Sequence, residues 1–414
     1  MSAPRPERLV AITGMGVKTP VGLGLDAFWD GLCGGRSAGA AITAFDTSDH
    51  PVSFACEIHD FDVTSYVSAK EAAHLDRVSQ LGFAAAADAI ADAGELGADP
   101  GRIAVVAGTG VGGLLTLEAQ IATFVTKGAM RVSPFLVPMM MSNATAAFIA
   151  IQYGFTGPNF SVVTACAAGA NALGEGARLV RAGDADVVIA GGSEASIAPV
   201  GLAAFSRMGA LSRRRDDPAH ASRPFDKDRD GFVMGEGAGF VVLERWDRAT
   251  ARGARIHGAI AGYGRNTDAY HITAPSPGGE GAVRCMQLAL EDAGLTTADI
   301  GHLNAHGTST PLNDASEAEA VLKVFDGTPP PISSVKGATG HLIGAAGAVE
   351  LVICVLAMQQ GVLPPTINYQ VRDPDCDLDY IPNQPREVRA CHVLSNSFGF
   401  GGQNASLIVS AFRG

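Results

Sequence analysis

Short apolar runs that meet a glycine alternate along this chain with alanine-rich stretches. Leu9–Thr13 runs into Gly14, Ile103–Ala107 into Gly108 and Val187–Ala190 into Gly191, while Phe240–Leu243 follows Gly239. Unbroken, β-branched-rich runs of this length read as strands covered on both faces, each ending at its glycine. Between them, Ser79–Ala93 and Gly281–Ala293 read as helices. Alternating strands and helices predict an α/β fold built on a largely parallel sheet.

The order runs twice. A strand at Gly258–Tyr263 opens a second series: helix Gly281–Ala293, strand Ile300–Ala305, helix Ala315–Phe325, strand Ile332–Val335 and helix Ala345–Gln359. A final strand pair, Val393–Ser397 and Ala405–Ser410, closes it. No polar linker separates the two series, so two similar halves, 1–255 and 256–414, are expected around one core. Element order alone carries that duplication.

Composition narrows the class. Of 414 residues, 47% are apolar and 17% charged, which excludes a disordered chain. Glycine, at 51 residues, exceeds the typical ~7% without forming low-complexity tracts. Thirty basic against 42 acidic residues leave a net charge of −12, the wrong sign for bulk nucleic-acid binding. Seven cysteines without a C-x-x-C pair argue against a zinc ribbon or a disulfide framework and point to a reducing cytoplasm. The N-terminus lacks the apolar core of a signal peptide. The most apolar window, 134–151, holds two prolines, Ser142, Asn143 and Thr145, and reads as buried loop and helix, so no membrane association is expected.

Four blocks carry candidate chemistry. In Ser161–Ala170 (SVVTACAAGA) a short strand delivers Cys166 to the start of a helix that runs to about Arg181 and stops at Gly183. Unpaired N–H groups at a helix start favour thiolate over thiol, so Cys166 is a candidate nucleophile. Asn304–Thr310 (NAHGTST) sets His306 on a turn of glycine and hydroxyl residues, with Asp314 and Glu317 beyond. Ser334–Gly347 places Lys336 and His341 on a glycine- and alanine-rich connection, with Glu350 beyond. Asn396–Asn404 (NSFGFGGQN) reads as a loop of backbone donors with aromatics between glycines. Taken singly, each block also has a plain structural reading: a buried cysteine, a core imidazole, an ordinary turn.

Together, in this order and spacing, the blocks resemble the β-ketoacyl-acyl carrier protein synthases, the elongating ketosynthases of the thiolase superfamily. Ala221–Asp226 (ASRPFD), Arg229–Phe232 (RDGF) and Gly235–Gly237 (GEG) match as well, and the resemblance spans residues 8 to 412. It implies a five-layered αβαβα fold, a dimer, and a decarboxylative condensation fed by acyl carrier protein through its phosphopantetheine arm, with no tightly bound cofactor. It makes Cys166 the nucleophile, with its N–H and that of Phe400 as oxyanion hole. His306 and His341 become the imidazoles that stabilise an enolate, each with its second nitrogen fixed by a neighbour, and Lys336 orders the second histidine, held by Glu350. Asp314 and Glu317 support the site, while Thr308 and Thr310 contact pantetheine. Phe398, Gly399, Phe400, Gly401 and Gly402 form a gating loop, and Val111 and Phe205 line the acyl pocket. In some family members a sodium or potassium ion sits at positions matching Asn304, Glu350, Ser395 and Asn396. Docking of an acidic carrier to a chain at −12 needs local positive charge, for which Lys70, Lys127, Arg131, Arg207 and Arg213 are candidates.

Neighbouring readings fit less well. A thiolase needs a second cysteine in the C-terminal glycine loop, and Gly399–Asn404 has none. Initiating ketosynthases use Cys-His-Asn, whereas His341 stands third here. A cysteine hydrolase gives no reason for a second histidine, and a silent chain-length subunit would lack Cys166. Fatty-acid elongation is the first expectation. The stretches 217–222 and 373–380 and Asn313 resemble polyketide ketosynthases, for which the partner would be a chain-length-factor homologue in a heterodimer.

Overall fold

A computed structural model describes residues 9–412. Ten strands form one sheet: β1 (Val10–Lys18), β2 (Ile103–Gly108), β3 (Asn159–Val162), β4 (Val187–Glu194), β5 (Gly237–Arg245), β6 (Gly258–Thr267), β7 (His302–Asn304), β8 (Ile332–Ser333), β9 (His392–Gly399) and β10 (Gln403–Ser410). Their order is β8-β7-β9-β10-β6-β1-β5-β4-β2-β3. Counted within each set of five, both sets follow the order 3-2-4-5-1, joined by antiparallel pairing of β1 with β6. Five long helices cover the sheet: α1 (Arg77–Ala93), α2 (Ala168–Ala182), α3 (Glu280–Ala293), α4 (Pro311–Val324) and α5 (Ala346–Gln360). Helix α1 packs on β1, β4 and β5, and α3 packs on β6 and β10 with α4 against it. Helices α2 and α5 pack on each other and reach strands of both sets, which completes five layers, αβαβα.

The sheet is mixed, not largely parallel. The four outer pairings are parallel, while the five central ones, from β4–β5 through β1–β6 to β10–β9, are antiparallel. β2 ends at Gly108 as read, but two other strands run past their glycines. β1 continues through Gly14 and Gly16 to Lys18, and β4 through Gly191 and Gly192 to Glu194. These glycines mark close approach. A Cβ on Gly14 or Gly16 would collide with the carbonyl oxygens of Ala89 and Ala85 in α1, and one on Gly262 or Gly264 with those of Ala289 and Cys285 in α3. The middle residue of each Gly-x-Gly is held in the same way. Met15 N donates to Asp92 at 3.0 Å and Tyr263 N to Asp292 at 3.0 Å, both aspartates lying in an Asp-Ala-Gly helix end. The two halves thus retain a shared signature, Gly-x-Gly with Asp-Ala-Gly. Gly16→Ala is expected to cost about 1–3 kcal/mol, because α1 backbone cannot yield to the methyl group. Urea unfolding checks it.

Helix α5 belongs to the stretch 343–360, which is long and apolar enough to cross a membrane, yet 83% of that stretch is buried inside the protein. It is a core helix. The window 134–151 differs from its reading: Phe135, Val137, Met141 and Ile151 are exposed, part of an apolar surface shared with Ile121, Phe124, Val125, Met130 and Val163.

Candidate active site

Strand β3 ends at Val162, and Ala165 then adopts φ +49°, a left-handed conformation that costs a non-glycine residue free energy. Cys166 sits on the one-turn 3₁₀ segment Ala165–Ala167, before α2 begins at Ala168. The following glycine, Gly169, allows α2 to approach the start of α5, since a Cβ there would lie 2.8 Å from Gly344 O. Helix α2 stops at Gly183, whose φ of 76° closes it as the sequence predicts.

The second half delivers two imidazoles to the sulfur. His341 Nε2 lies 3.1 Å from Cys166 Sγ, and the His306 ring stands 5.4 Å from that of His341 at 82°. The sulfur and one nitrogen of each ring all fall within 4.8 Å of one another. Backbone N–H groups of Phe400 and Cys166 also bear on the sulfur.

Beneath these groups lies a buried polar layer. Glu317 accepts from the N–H groups of His306 and Gly307, both at 2.8 Å, and Asp314 from those of Thr308 (2.9 Å) and Phe225 (2.8 Å). Lys336 Nζ donates to the carbonyl of His306 at 2.6 Å and is ion-paired with Glu350. Lysine therefore holds the first histidine's backbone as well as the segment leading to the second. His341 is fixed by its own backbone: its N–H donates to Val233 O at 2.7 Å and its carbonyl accepts from Gly235 at 3.0 Å. The Phe232 ring meets its imidazole edge-on at 5.3 Å. Against expectation, Nδ1 of neither histidine has a hydrogen-bond partner among the described residues. Among the described residues, no hydrogen bond at Nδ1 locks either ring in one tautomer.

Burial governs the protonation of all these groups. It pushes the Cys166 thiol up to about 11, outweighing the Lys336 charge and the two N–H donors that pull it down. The thiolate expected from a helix start is thus not the resting form; Cys166 precedes α2, and desolvation wins. Burial, then the Lys336 charge, hold His306 and His341 well below the usual imidazole range, so both are neutral. Glu317 is pushed up to about 7 by burial, despite its N–H donors.

A cavity of 640 Å³ opens onto the sulfur. Val111, Phe205, Thr308, Thr310, Phe398, Gly399, Phe400 and Gly402 line it with Cys166, His306, His341 and Glu317. The hydroxyls of Thr308 and Thr310 bond each other at 2.9 Å, and Thr310 also caps α4. In the Phe398–Gly402 loop, Gly401 (φ 80°) and Gly402 (φ 70°) need left-handed freedom, whereas Gly399 is extended and needed for closeness: a Cβ there would lie 3.1 Å from Cys166 N. Lys336 and Glu350 stay beneath the cavity, fully buried. Lys70, Lys127, Arg131, Arg207 and Arg213 are exposed, and only Arg207 and Arg213 adjoin lining residues, Met208 and Asp230.

At the candidate cation position, Asn304 Nδ2 donates to Ser395 at 3.1 Å, while Asn304 Oδ1 and Glu350 Oε2 are buried without a partner among the described residues. Two orphaned oxygens suit a hard monovalent cation. The Asn396 side chain is already committed, to Glu317 at 3.3 Å and to Ser406 at 2.8 Å. Sequence reasoning missed Phe232, Asp268 and Glu194. Asp268 accepts from Asn404 at 2.6 Å beside the glycine loop, and Glu194 is a fully buried carboxylate pushed up to about 7 by its burial. The only signal for the latter was an acid at the end of a strand-like run.

A duplicated five-layered αβαβα fold, with a cysteine from one half facing two neutral imidazoles from the other, defines a thiolase-fold condensing enzyme. Residues 7–249 match the model of the β-ketoacyl synthase N-terminal domain and residues 257–370 that of the C-terminal domain; the chain belongs to the β-ketoacyl synthase family. It is 48% identical over 413 residues to a 3-oxoacyl-(acyl-carrier-protein) synthase 2 of Synechocystis sp., covering 98% of this chain and 99% of that one. Its identity to the protein of the same description from Coxiella burnetii is 43%, over 98% and 99% of the two chains. Among solved structures it is similar to the ishigamide ketosynthase/chain length factor (TM-score 0.92, 37% identity, 99% and 100% covered). A β-ketoacyl synthase from Burkholderia phymatum superposes equally well (0.92, 36%, 98% and 100%). A type II polyketide ketosynthase in complex with its acyl-carrier protein follows at 0.90 and 32%, covering 99% and 100%.

Proposed function

We infer that this enzyme elongates acyl chains by decarboxylative condensation of an acyl-enzyme thioester with malonyl-acyl carrier protein, giving 3-oxoacyl-acyl carrier protein for fatty-acid synthesis. One observation carries the reading: Sγ and two neutral imidazoles within 4.8 Å at the wall of one cavity. In the first half-reaction Cys166 Sγ attacks the acyl thioester carbonyl. The S–C bond forms, the pantetheine sulfur departs, and the thiol proton passes to it through His341 Nε2, the base at 3.1 Å. The tetrahedral oxyanion is met by the N–H groups of Cys166 and Phe400. In the second, the malonyl carboxylate leaves as carbon dioxide and its electron pair moves into an enolate, whose oxygen accepts N–H bonds from His306 and His341. The enolate carbon then bonds to the acyl carbonyl, Cys166 leaves as thiolate, and a proton drawn from solvent through His341 restores the thiol, so each cycle consumes one proton. Unlocked tautomers let the His341 nitrogen facing the cavity accept in one half-reaction and donate in the other.

Lys336, Glu350, Asp314 and Glu317 hold these groups. Thr308 and Thr310 receive the pantetheine arm, and Val111 and Phe205 bound the acyl chain. The loop from Phe398 to Gly402 admits it. A sodium or potassium ion would bind through Asn304, Glu350, Ser395 and the Asn396 backbone, where it supplies positive charge beneath the site. Lys70, Lys127, Arg131, Arg207 and Arg213 are the proposed docking charges for the acidic carrier. We set the division of the halves at 255/256 and place the protein in the cytoplasm. The exposed apolar belt of residues 121–163, which includes edge strand β3, supports pairing with a second copy. The polyketide alternative, with a chain-length-factor partner, is favoured by one observation, the similarity to a ketosynthase/chain length factor and to a type II polyketide ketosynthase among solved structures.

Mass spectrometry after incubation with acyl-carrier proteins of several lengths tests this reading, followed by product analysis with malonyl-carrier protein. Loading at Cys166 and a product two carbons longer are expected, with sedimentation of the same sample reading two chains. Loading without elongation would refute the condensation, and a one-chain mass the pairing.

A further inference from the structure

Among the buried acids, Glu194 has no part in the chemistry above, yet it touches both sides of the acyl cavity. It ends β4 with no solvent exposure. Its Oε2 accepts from Gly110 N at 2.6 Å and from Gly344 N at 3.1 Å, so one oxygen joins two loops. Its Oε1 accepts from Thr109 Oγ1 at 3.3 Å, and that hydroxyl in turn accepts from Gly112 N at 3.1 Å. The whole turn Thr109–Gly112 thereby hangs from one carboxylate, and Val111 rides on that turn. Gly344 ends the short stretch that follows His341, and Ile343 between them takes φ +46° and lines the cavity. The two loop backbones touch here: a Cβ on Gly344 would collide with Gly110 N. The clasp between them comes from the end of the strand below.

We propose that Glu194 is a positioning residue for acyl-chain selection, clasping the Val111 turn to the His341–Gly344 stretch so that the mouth of the acyl channel keeps a fixed width beside the nucleophile. This rests on the reading that Val111 borders the acyl pocket. An unclasped turn moves outward or inward with each acyl chain, and discrimination by length weakens. Steps that do not place an acyl chain past Val111 are spared.

The test is Glu194→Gln, which keeps the volume but sets an amide N–H₂ among three donors. Acyl loading is measured against carriers bearing short, medium and long chains, beside carbon dioxide release from malonyl-carrier protein alone. The loading preference between the best and worst chain lengths is expected to flatten by about tenfold, with decarboxylation within about twofold of wild type. Thr109→Val, which deletes one hydroxyl and leaves the carboxylate, is the milder variant and should move the preference in the same direction by about threefold. A variant that folds and loses every substrate and decarboxylation in equal proportion would show a merely structural carboxylate and overturn the proposal, as would unchanged preference in both variants. Val111→Phe separates the two readings. If it shifts the preference while the Glu194 and Thr109 variants do not, the clasp fails alone. If it leaves the preference unchanged while they alter it, the clasp stands and the role of Val111 falls.

Discussion

Cys166→Ala is expected to abolish acyl loading, a fall of about 10⁵-fold or more in condensation, because Cys166 is the only cysteine lining the cavity among the described residues and the Phe400 and Cys166 N–H groups bear on its sulfur. The same variant should keep malonyl decarboxylation, since His306 and His341 are held by backbone and by Glu317 and Lys336, none of which depends on the sulfur. Intact-mass analysis and carbon dioxide release therefore give opposite answers on one sample. Formation of acyl-enzyme by the alanine variant would remove Cys166 from the nucleophile's place.

The resting state of that sulfur has its own test. A thiol raised to about 11 is protonated at neutral pH, and its thiolate fraction grows with pH up to that value. Alkylation by iodoacetamide should thus climb about tenfold per unit between pH 7 and 9 without levelling. A plateau beginning below pH 7 would mean that the helix start outweighs burial after all. Catalysis does not need a preformed thiolate here, because His341 stands at hydrogen-bond distance to take the proton as the S–C bond forms.

What could be read from the chain follows from which forces are local. Alternation of strand and helix and helix ends such as Gly183 are local, and the α/β class emerged from them, while the five-layered fold came from the family resemblance carried by the four blocks. Strand direction is not local: an apolar run looks alike whether its neighbour runs with or against it, so the antiparallel centre was invisible. Gly14 looks like a strand stop, but it and Gly16 are the places where α1 lies on β1, a fact that needs both elements at once. The net field at Cys166 was likewise hidden, since a helix start is written in sequence and the burial that overrides it is not. Glu194 was unread for the same reason. Its value lies in Gly110 and Gly344, 84 and 150 residues away. The apolar stretch 134–151 shows the converse error in part: Ala146 and Ile149 are buried as read, but Phe135, Val137, Met141 and Ile151 face outward, where hydrophobicity was taken for burial.

Replacing either imidazole should separate the half-reactions in the other sense. In this reading both rings are neutral and each contributes one N–H to the enolate oxygen. Loss of one such donor is worth about 10²–10³-fold in the step that develops the charge. His306→Ala is expected to lower malonyl decarboxylation by that factor and to leave acyl loading within about threefold, because His306 has no contact with Sγ comparable to that of His341. His341→Ala should lower both, since it also carries the thiol proton. The pH profile supplies a second reading. Rings held well below the usual imidazole range stay neutral as pH moves from about 6 to 8, so pH dependence of decarboxylation in that interval would come from Glu317, pushed up to about 7 beside the His306 N–H, and Glu317→Gln should flatten it. A rise through the ordinary imidazole value that survives Glu317→Gln would show that a cationic ring is present in that range and that burial and Lys336 do not set the protonation state. Equal damage to loading and decarboxylation by His306→Ala would dissolve the division of labour, leaving the two rings as a single scaffold around the sulfur.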